Sequence, residues 1–229
     1  MRKIEFVSGE YYHVYNRGVD KRCMFDTSKD YSRFLESAYL FNDEKYQHSS
    51  DPLDKMVLLT GSHVFGGERE PHVEIAAYCL MPNHYHFLVR QLREGGIPRF
   101  FHKLNKGYSR YYNLKNKRSG SLFESKYKAK HINSQSYLSH IAPYIHLNSL
   151  DLTGELWREG VVENWDLIEL SMRMYEWSGH NTYLTGEQEF PLMTLDFFKN
   201  TYKDQDDYLD YLKHWALREK PALLGYVTE

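Results

Sequence analysis

Apolar and aromatic residues recur along the chain with two spacings. Residues 11–16, 73–80 and 84–91 are apolar runs with strand character, the last two joined through Met81, Pro82 and Asn83, of which Pro and Asn favour turns. Tyr31, Phe34, Leu35, Ala38 and Tyr39 instead share one helical face, and the spacing predicts a helix that starts near Ser28 as its cap. A second helix is predicted over about 97–115, ended by the polar breaker at 116–120. A short strand over 121–132 and a third helix over about 134–149 follow. Pro143 falls inside that third helix, where it removes one backbone hydrogen bond and predicts a kink. Strand, helix, two strands, helix, strand, helix is the order of an α+β fold with a mostly antiparallel sheet and helices packed on it.

Two stretches stand outside this pattern. Residues 46–72 join a polar piece to an apolar one and read as an insertion, loop or hairpin. Residues 151–229 read as an accessory extension, mainly helical, with two short helices around 195–211 and with Trp157 and Trp165 expected to pack on the sheet. The expected division is therefore a domain over 1–150 and an extension over 151–229. At 229 residues, 41% hydrophobic and 26% charged, the chain can bury a real core. It has no run of 18 apolar residues and no signal-like start, so a cytoplasmic protein without a membrane partner is expected. Cys23 and Cys79 are too few for a disulfide framework and are expected as core or near-core thiols.

The net charge of -2 hides an asymmetry. Arg99, Lys103, Lys106, Arg110, Lys115, Lys117, Arg118, Lys126, Lys128 and Lys130 face a single acid, Glu124, over residues 99–130, whereas residues 151–229 hold sixteen acids against seven bases. The basic stretch is interleaved with Phe100, Phe101, Tyr108, Tyr111, Tyr112 and Phe123. Cations for phosphates and rings for unstacked bases are what a single-strand nucleic-acid groove uses; a solvated basic helix is the plainer reading. An acidic tail facing that groove would compete with phosphate for it.

Candidate chemistry is concentrated at two places. His84 and His86 are two apart in a strand, so their imidazoles point the same way, a spacing suited to two ligands of one metal ion or to one phosphate. Tyr144 and Asn148 are four apart on the third helix and share a face, which adds a phenol and an amide oxygen that could complete a metal shell. With 20 tyrosines in the chain, Tyr144 reads equally well as a core aromatic.

These residues also carry a resemblance. Asn83-His84-Tyr85-His86 before a basic helix, then Gly120-Ser121-Leu122-Phe123, then Tyr144-Ile145-His146-Leu147-Asn148, resembles the single-tyrosine HUH transposases, which are IS200-like. His13-Val14-Tyr15-Asn16-Arg17-Gly18 and Tyr175-Glu176-Trp177-Ser178 are similar to the REP-associated branch of that family, and the ordered set spans about 11–183. The chain departs from the family pattern at Tyr85 between the histidines, at Ser149 where proline is usual, at Pro143, and in the length of 46–72.

The resemblance implies a ferredoxin-like HUH fold, His84 and His86 as ligands of a divalent metal (Mg²⁺ or Mn²⁺), Asn148 as the third side-chain ligand and Tyr144 as the nucleophile. It implies a bacterial protein with single-stranded DNA folded into REP-like hairpins as substrate, and a 5′-phosphotyrosine intermediate with a free 3′-hydroxyl; monomer and homodimer stay open as the active unit. The basic stretch would then hold the strand. A phenol's ordinary pKa of about 10 means the nucleophile needs activation. Three readings stay open on the residues: a nicking and strand-transfer enzyme, a non-catalytic binder of single-stranded or hairpin DNA, and a metal hydrolase using water. Tyr111 or Tyr112 is the alternative nucleophile.

Overall fold

The computed structural model describes residues 4–46, 69–154, 157–188 and 190–217. Most of the 46–72 insertion lies outside these residues. The first half of the described chain is β1 (Tyr11–Arg17), α1 (Ser28–Phe41), β2 (Val73–Met81), β3 (His84–Gln91), α2 (Gly96–Lys115), β4 (Lys128–Ile132) and α3 (Gln135–Leu147). The strands form one sheet of order β2-β3-β1-β4, antiparallel throughout. That order, with β3 between β2 and β1, is the ferredoxin-like split β-α-β arrangement.

Side-chain alternation gives the sheet two distinct faces. Tyr85 and Phe87 of β3 meet Phe34 of α1 and Phe101 of α2 on one face. On the other, His86 and His13 meet Tyr144 of α3. The sheet is thus the middle of three layers, and most of what lies beyond α3 joins the α3 side. There follow α4 (Trp165–Met174), α5 (His180–Thr185), α6 (Asp196–Thr201) and α7 (Gln205–Ala216), the last two being the short helices expected near 195–211. Their buried residues, including Ile168, Tyr183, Phe197, Tyr208 and Leu212, belong to the same apolar core as the sheet. Trp157 is buried against Tyr144 with ring centroids 6.0 Å apart, and Trp165 packs half-buried on the core.

Local expectations shift in four places. Thr27 rather than Ser28 caps α1, in a reciprocal capping box with Asp30. Residues 121–127 form no strand apart from a single bridge, Gly18 to Phe123, and β4 begins only at Lys128. Cys23 is exposed, while Cys79 is buried as expected. The fourth concerns Pro143, through which α3 runs as one helix. Proline leaves the carbonyl four residues back, Ser139 O, without its helical donor; the Tyr202 hydroxyl supplies one at 2.7 Å. Removing that hydroxyl strands a buried acceptor, so Tyr202→Phe is expected to cost about 1–3 kcal/mol in chemical denaturation. The cost should shrink when Pro143→Ala restores the helical donor, and an additive double mutant would argue against the link.

The extension also closes a sheet edge. Leu80 N donates to Trp177 O and Gly179 N to Tyr78 O, both at 2.9 Å, so residues 177–179 pair with β2 and Trp177 reaches round to stack on Tyr31 of α1. Covering an edge in this way removes a template for aggregation. The opposite edge, β4, is left to its lysines. Among the described residues no helix is long and apolar enough to cross a membrane.

Candidate active site

β3 is paired with β1 in a register that sets His86 opposite Tyr15 and His84 opposite Arg17. Opposed residues of antiparallel strands share a face, which brings His13, Tyr15, Arg17, His84 and His86 onto the α3 side of the sheet. The His84 and His86 rings stand edge to face with centroids 5.0 Å apart. His84 Nδ1 is bonded to Asn83 Oδ1 at 2.6 Å, so the neutral ring donates there and leaves Nε2 as its lone-pair nitrogen. His86 Nδ1 is bonded to His13 Nε2 at 2.9 Å, and these two rings stack. His13 was absent from the expected site residues; only the strand register, which joins positions 73 residues apart, reveals it.

Burial holds all three imidazoles neutral. His84 is pushed down to about 4 chiefly by desolvation, with Asp151 opposing and Arg158 and Arg17 adding to the effect. Desolvation also takes His13 down to about 3, helped by Lys130, and carries His86 well below its ordinary value, helped by His13, His84 and Arg158. Neutral imidazole is the form that ligates a metal.

Tyr144 leaves α3 toward this cluster, its ring edge-on to His86 at 6.4 Å and to His13 at 6.2 Å between centroids. Its hydroxyl accepts from Arg158 Nη1 at 3.3 Å. Asn148 ends the same helix. Its amide nitrogen donates back to Tyr144 O and Ile145 O, and its oxygen accepts from Arg158 Nη2 at 2.7 Å. The side chain is therefore committed to the helix end and to a guanidinium. Arg158 was not among the expected residues either, since it lies in the extension and nothing local marks it.

The donor set fits a divalent ion at the two histidines, each with its Nδ1 fixed by a neighbour. Asn148 Oδ1, engaged by a cation, is not offered to that ion in this arrangement, and no group of three or more His, Cys, Asp or Glu suited to a metal occurs among the described residues. Beside the histidines opens a cleft of about 310 Å³, lined by Tyr15, Asn16, Arg17, His84, His86, Glu124 and Lys128. Arg17 and Lys128 both pair with Glu124 across it, at 3.4 and 3.5 Å. The cleft thus brings together two cations, the carboxylate they share and two imidazoles.

The basic helix α2 is on the other face. Arg99, Lys106, Arg110, Lys117, Lys126 and Lys128 are exposed, and Lys103 and Arg118 half-exposed. Several of these are already engaged: Lys115 is bonded to buried Asp30, Arg118 to Asn113 and Ser121 O, and Arg99 lies 3.6 Å from Glu44. The rings expected as base platforms are core residues instead, Phe100, Phe101, Tyr108, Tyr112 and Phe123 all being buried, because the apolar stripe of α2 faces the sheet. Tyr111 and Tyr112 donate their hydroxyls to Asp30 and to Cys23 O, across the sheet from the histidines. A larger cleft, about 870 Å³, runs between α2 and residues 121–127 and includes His102, Asn105, Lys106 and Lys126. The described part of the extension packs on the α3 face and the β2 edge, so the expected competition of an acidic tail for α2 has no counterpart in it.

Comparison with known proteins adds the following. No curated protein matches the chain in sequence. A solved structure, described as a REP-associated tyrosine transposase bound to a REP hairpin, shares 14% identity, covering 86% of this chain and 94% of that one with a TM-score of 0.49. The family model described as "Transposase IS200 like" matches residues 63–148. Over that segment, which holds both histidines, α2, Tyr144 and Asn148, the chain is similar to the IS200-like transposases, the family its motifs resemble.

Proposed function

We propose that the protein nicks and rejoins single-stranded DNA through attack of the Tyr144 phenol on a phosphodiester seated beside His84 and His86. The reaction leaves a 5′-phosphotyrosine and a free 3′-hydroxyl. The observation that carries this reading is the placement of Tyr144: of the tyrosines considered as nucleophile, it alone stands beside the histidine pair, with its oxygen held by a cation. His84 and His86 would hold a divalent ion, Mg²⁺ or Mn²⁺, which when bound polarises the scissile phosphate. Arg17 and Lys128 bind the flanking backbone. The exposed and half-exposed cations of α2 and the segment after it, Arg99, Lys103, Lys106, Arg110, Lys117 and Lys126, hold a folded hairpin, whereas Tyr111, Lys115 and Arg118 serve that surface through the scaffold bonds described above.

Incubation of the whole protein with hairpin-bearing single-stranded oligonucleotides and Mn²⁺ or Mg²⁺ should give a covalent adduct in denaturing electrophoresis, lost on chelation. Binding without any adduct would instead favour a non-catalytic DNA-binding protein, a reading that the engagement of Asn148 by Arg158 supports. Turnover that survives loss of the tyrosine but not of His84 would point to a hydrolase. His13→Ala removes the partner that orients His86, and second-layer partners of ligating histidines typically contribute 10–100-fold. Adduct formation should fall by about that much and recover partly at higher Mn²⁺; an unchanged metal dependence would detach His13 from the site.

A further inference from the structure

Arg158 lies outside the segment that matches the transposase family, yet its guanidinium is the hub of the tyrosine's surroundings. Nη1 reaches the Tyr144 oxygen at 3.3 Å and Nη2 the Asn148 oxygen at 2.7 Å. On its other side, Nη2 and Nε bind the Asp151 carboxylate at 2.8 and 3.0 Å, and Asp151 is itself fixed by Trp157 Nε1 at 2.8 Å. The guanidinium carbon also stands 4.5 Å from the Trp157 ring centroid. The group is held by a carboxylate, an amide and an indole before it meets the phenol, so it arrives there with its position and charge already set. Burial works against that charge, but Asp151 and Tyr144 outweigh it and raise the guanidinium above its ordinary value.

Resting on the nucleophilic role proposed for Tyr144, we propose that Arg158 is a catalytic residue of the same reaction, holding the phenol oxygen and stabilising the negative charge that appears on it as its proton leaves ahead of attack on phosphorus. The Tyr144 O–P bond forms as the bond from phosphorus to the 3′-oxygen breaks, and the phenol's proton ends on that departing oxygen, giving the 3′-hydroxyl. Arg158 keeps its own protons throughout, because a guanidinium does not deprotonate in proteins. It supplies charge and direction, not proton transfer. Asn148 and Asp151 then act through it, as its anchors. Preorganised donors aimed at developing charge are among the larger contributions to catalysis, and this one is contributed by a region remote in sequence from the histidine motif.

The test compares wild type, Arg158→Gln, Arg158→Met and Arg158→Lys in the full chain, reading the rate of covalent adduct formation on a hairpin oligonucleotide with Mn²⁺. Melting temperature and hairpin affinity are measured beside it. The neutral variants should form adduct about 100- to 1,000-fold more slowly, with affinity within about twofold of wild type. The Lys variant should fall between, and a few millimolar guanidinium should restore part of the rate in Arg158→Gln, a rescue that a purely structural role would not give. Adduct formation within about threefold of wild type in either neutral variant overturns the proposal. So does loss of the fold in both, which assigns Arg158 to the scaffold. A wild-type protein that forms no adduct at all overturns the Tyr144 reading itself, and is thereby distinguished from failure of the Arg158 role alone.

Discussion

Replacing Tyr144 by Phe is expected to abolish the covalent protein–DNA adduct while leaving the fold and single-strand binding near wild-type levels. The ring stays to pack against Trp157, Trp215, His86 and His13, so only the oxygen is lost. Losing its bond from Arg158 costs about 1 kcal/mol, since that guanidinium keeps Asn148 and Asp151 as partners. For a domain of this size that is a fall of roughly 2–4 °C in melting temperature. No other phenol named as a possible nucleophile can substitute: the Tyr111 and Tyr112 hydroxyls are spent on Asp30 and Cys23 O, on the far side of the sheet. Peptide mapping of the wild-type adduct checks this directly. An adduct on Tyr111 or Tyr112, or one that persists in Tyr144→Phe, would sink the assignment.

The largest effect on stability should come from Asp30, a residue with no part in the chemistry. It is fully buried, closes the N-terminal capping box of α1, accepts from the Tyr111 hydroxyl at 2.8 Å and binds Lys115 Nζ at 2.6 Å, so that one carboxylate ties α1 to α2. Removing one partner of a buried pair typically costs about 3–5 kcal/mol. Asp30→Ala should accordingly lower the melting temperature by roughly 6–20 °C. Burial works to raise the Asp30 pKa, but the bonds from Lys115, Tyr111 and Thr27 overcome it and hold the carboxyl below its ordinary value. The unfolded chain therefore takes up this proton first as the pH falls. The stabilisation is whole above the ordinary carboxylate value and is lost as the pH drops through the lowered folded one. Stability measured from pH 7 to pH 3 should fall less steeply in Asp30→Asn than in wild type; parallel curves would show that Asp30 does not contribute to the acid limb.

What the sequence disclosed divides along physical lines. Strand and helix order followed from local spacing, and so did the shared face of His84 and His86, because period two is a property of a few consecutive residues. The direction in which α2 turns its rings was misjudged: an interleaving of cations and aromatics is the same string whether the aromatics meet bases or a sheet, and here Phe101 meets Tyr85 and Phe87. The apolar residues after Gly120 looked like a strand, yet Leu122 and Phe123 are buried without ladder pairing beyond one bridge. His13 and Arg158 were invisible for another reason. One reaches the site through a pairing register and the other through the turns after α3, and neither connection leaves a periodic trace. Pro143 carried a legible cost, but its remedy, the Tyr202 hydroxyl, lay 63 residues beyond the carbonyl it serves.

Residues 124–128 form a partition between the two clefts, with Glu124 and Lys128 facing the histidine side and Ser125, Lys126 and Tyr127 facing the α2 side. Under the function proposed above, this segment would stand between the stretch of strand at the histidines and the stretch at α2, so five consecutive residues would touch the substrate from both of their sides.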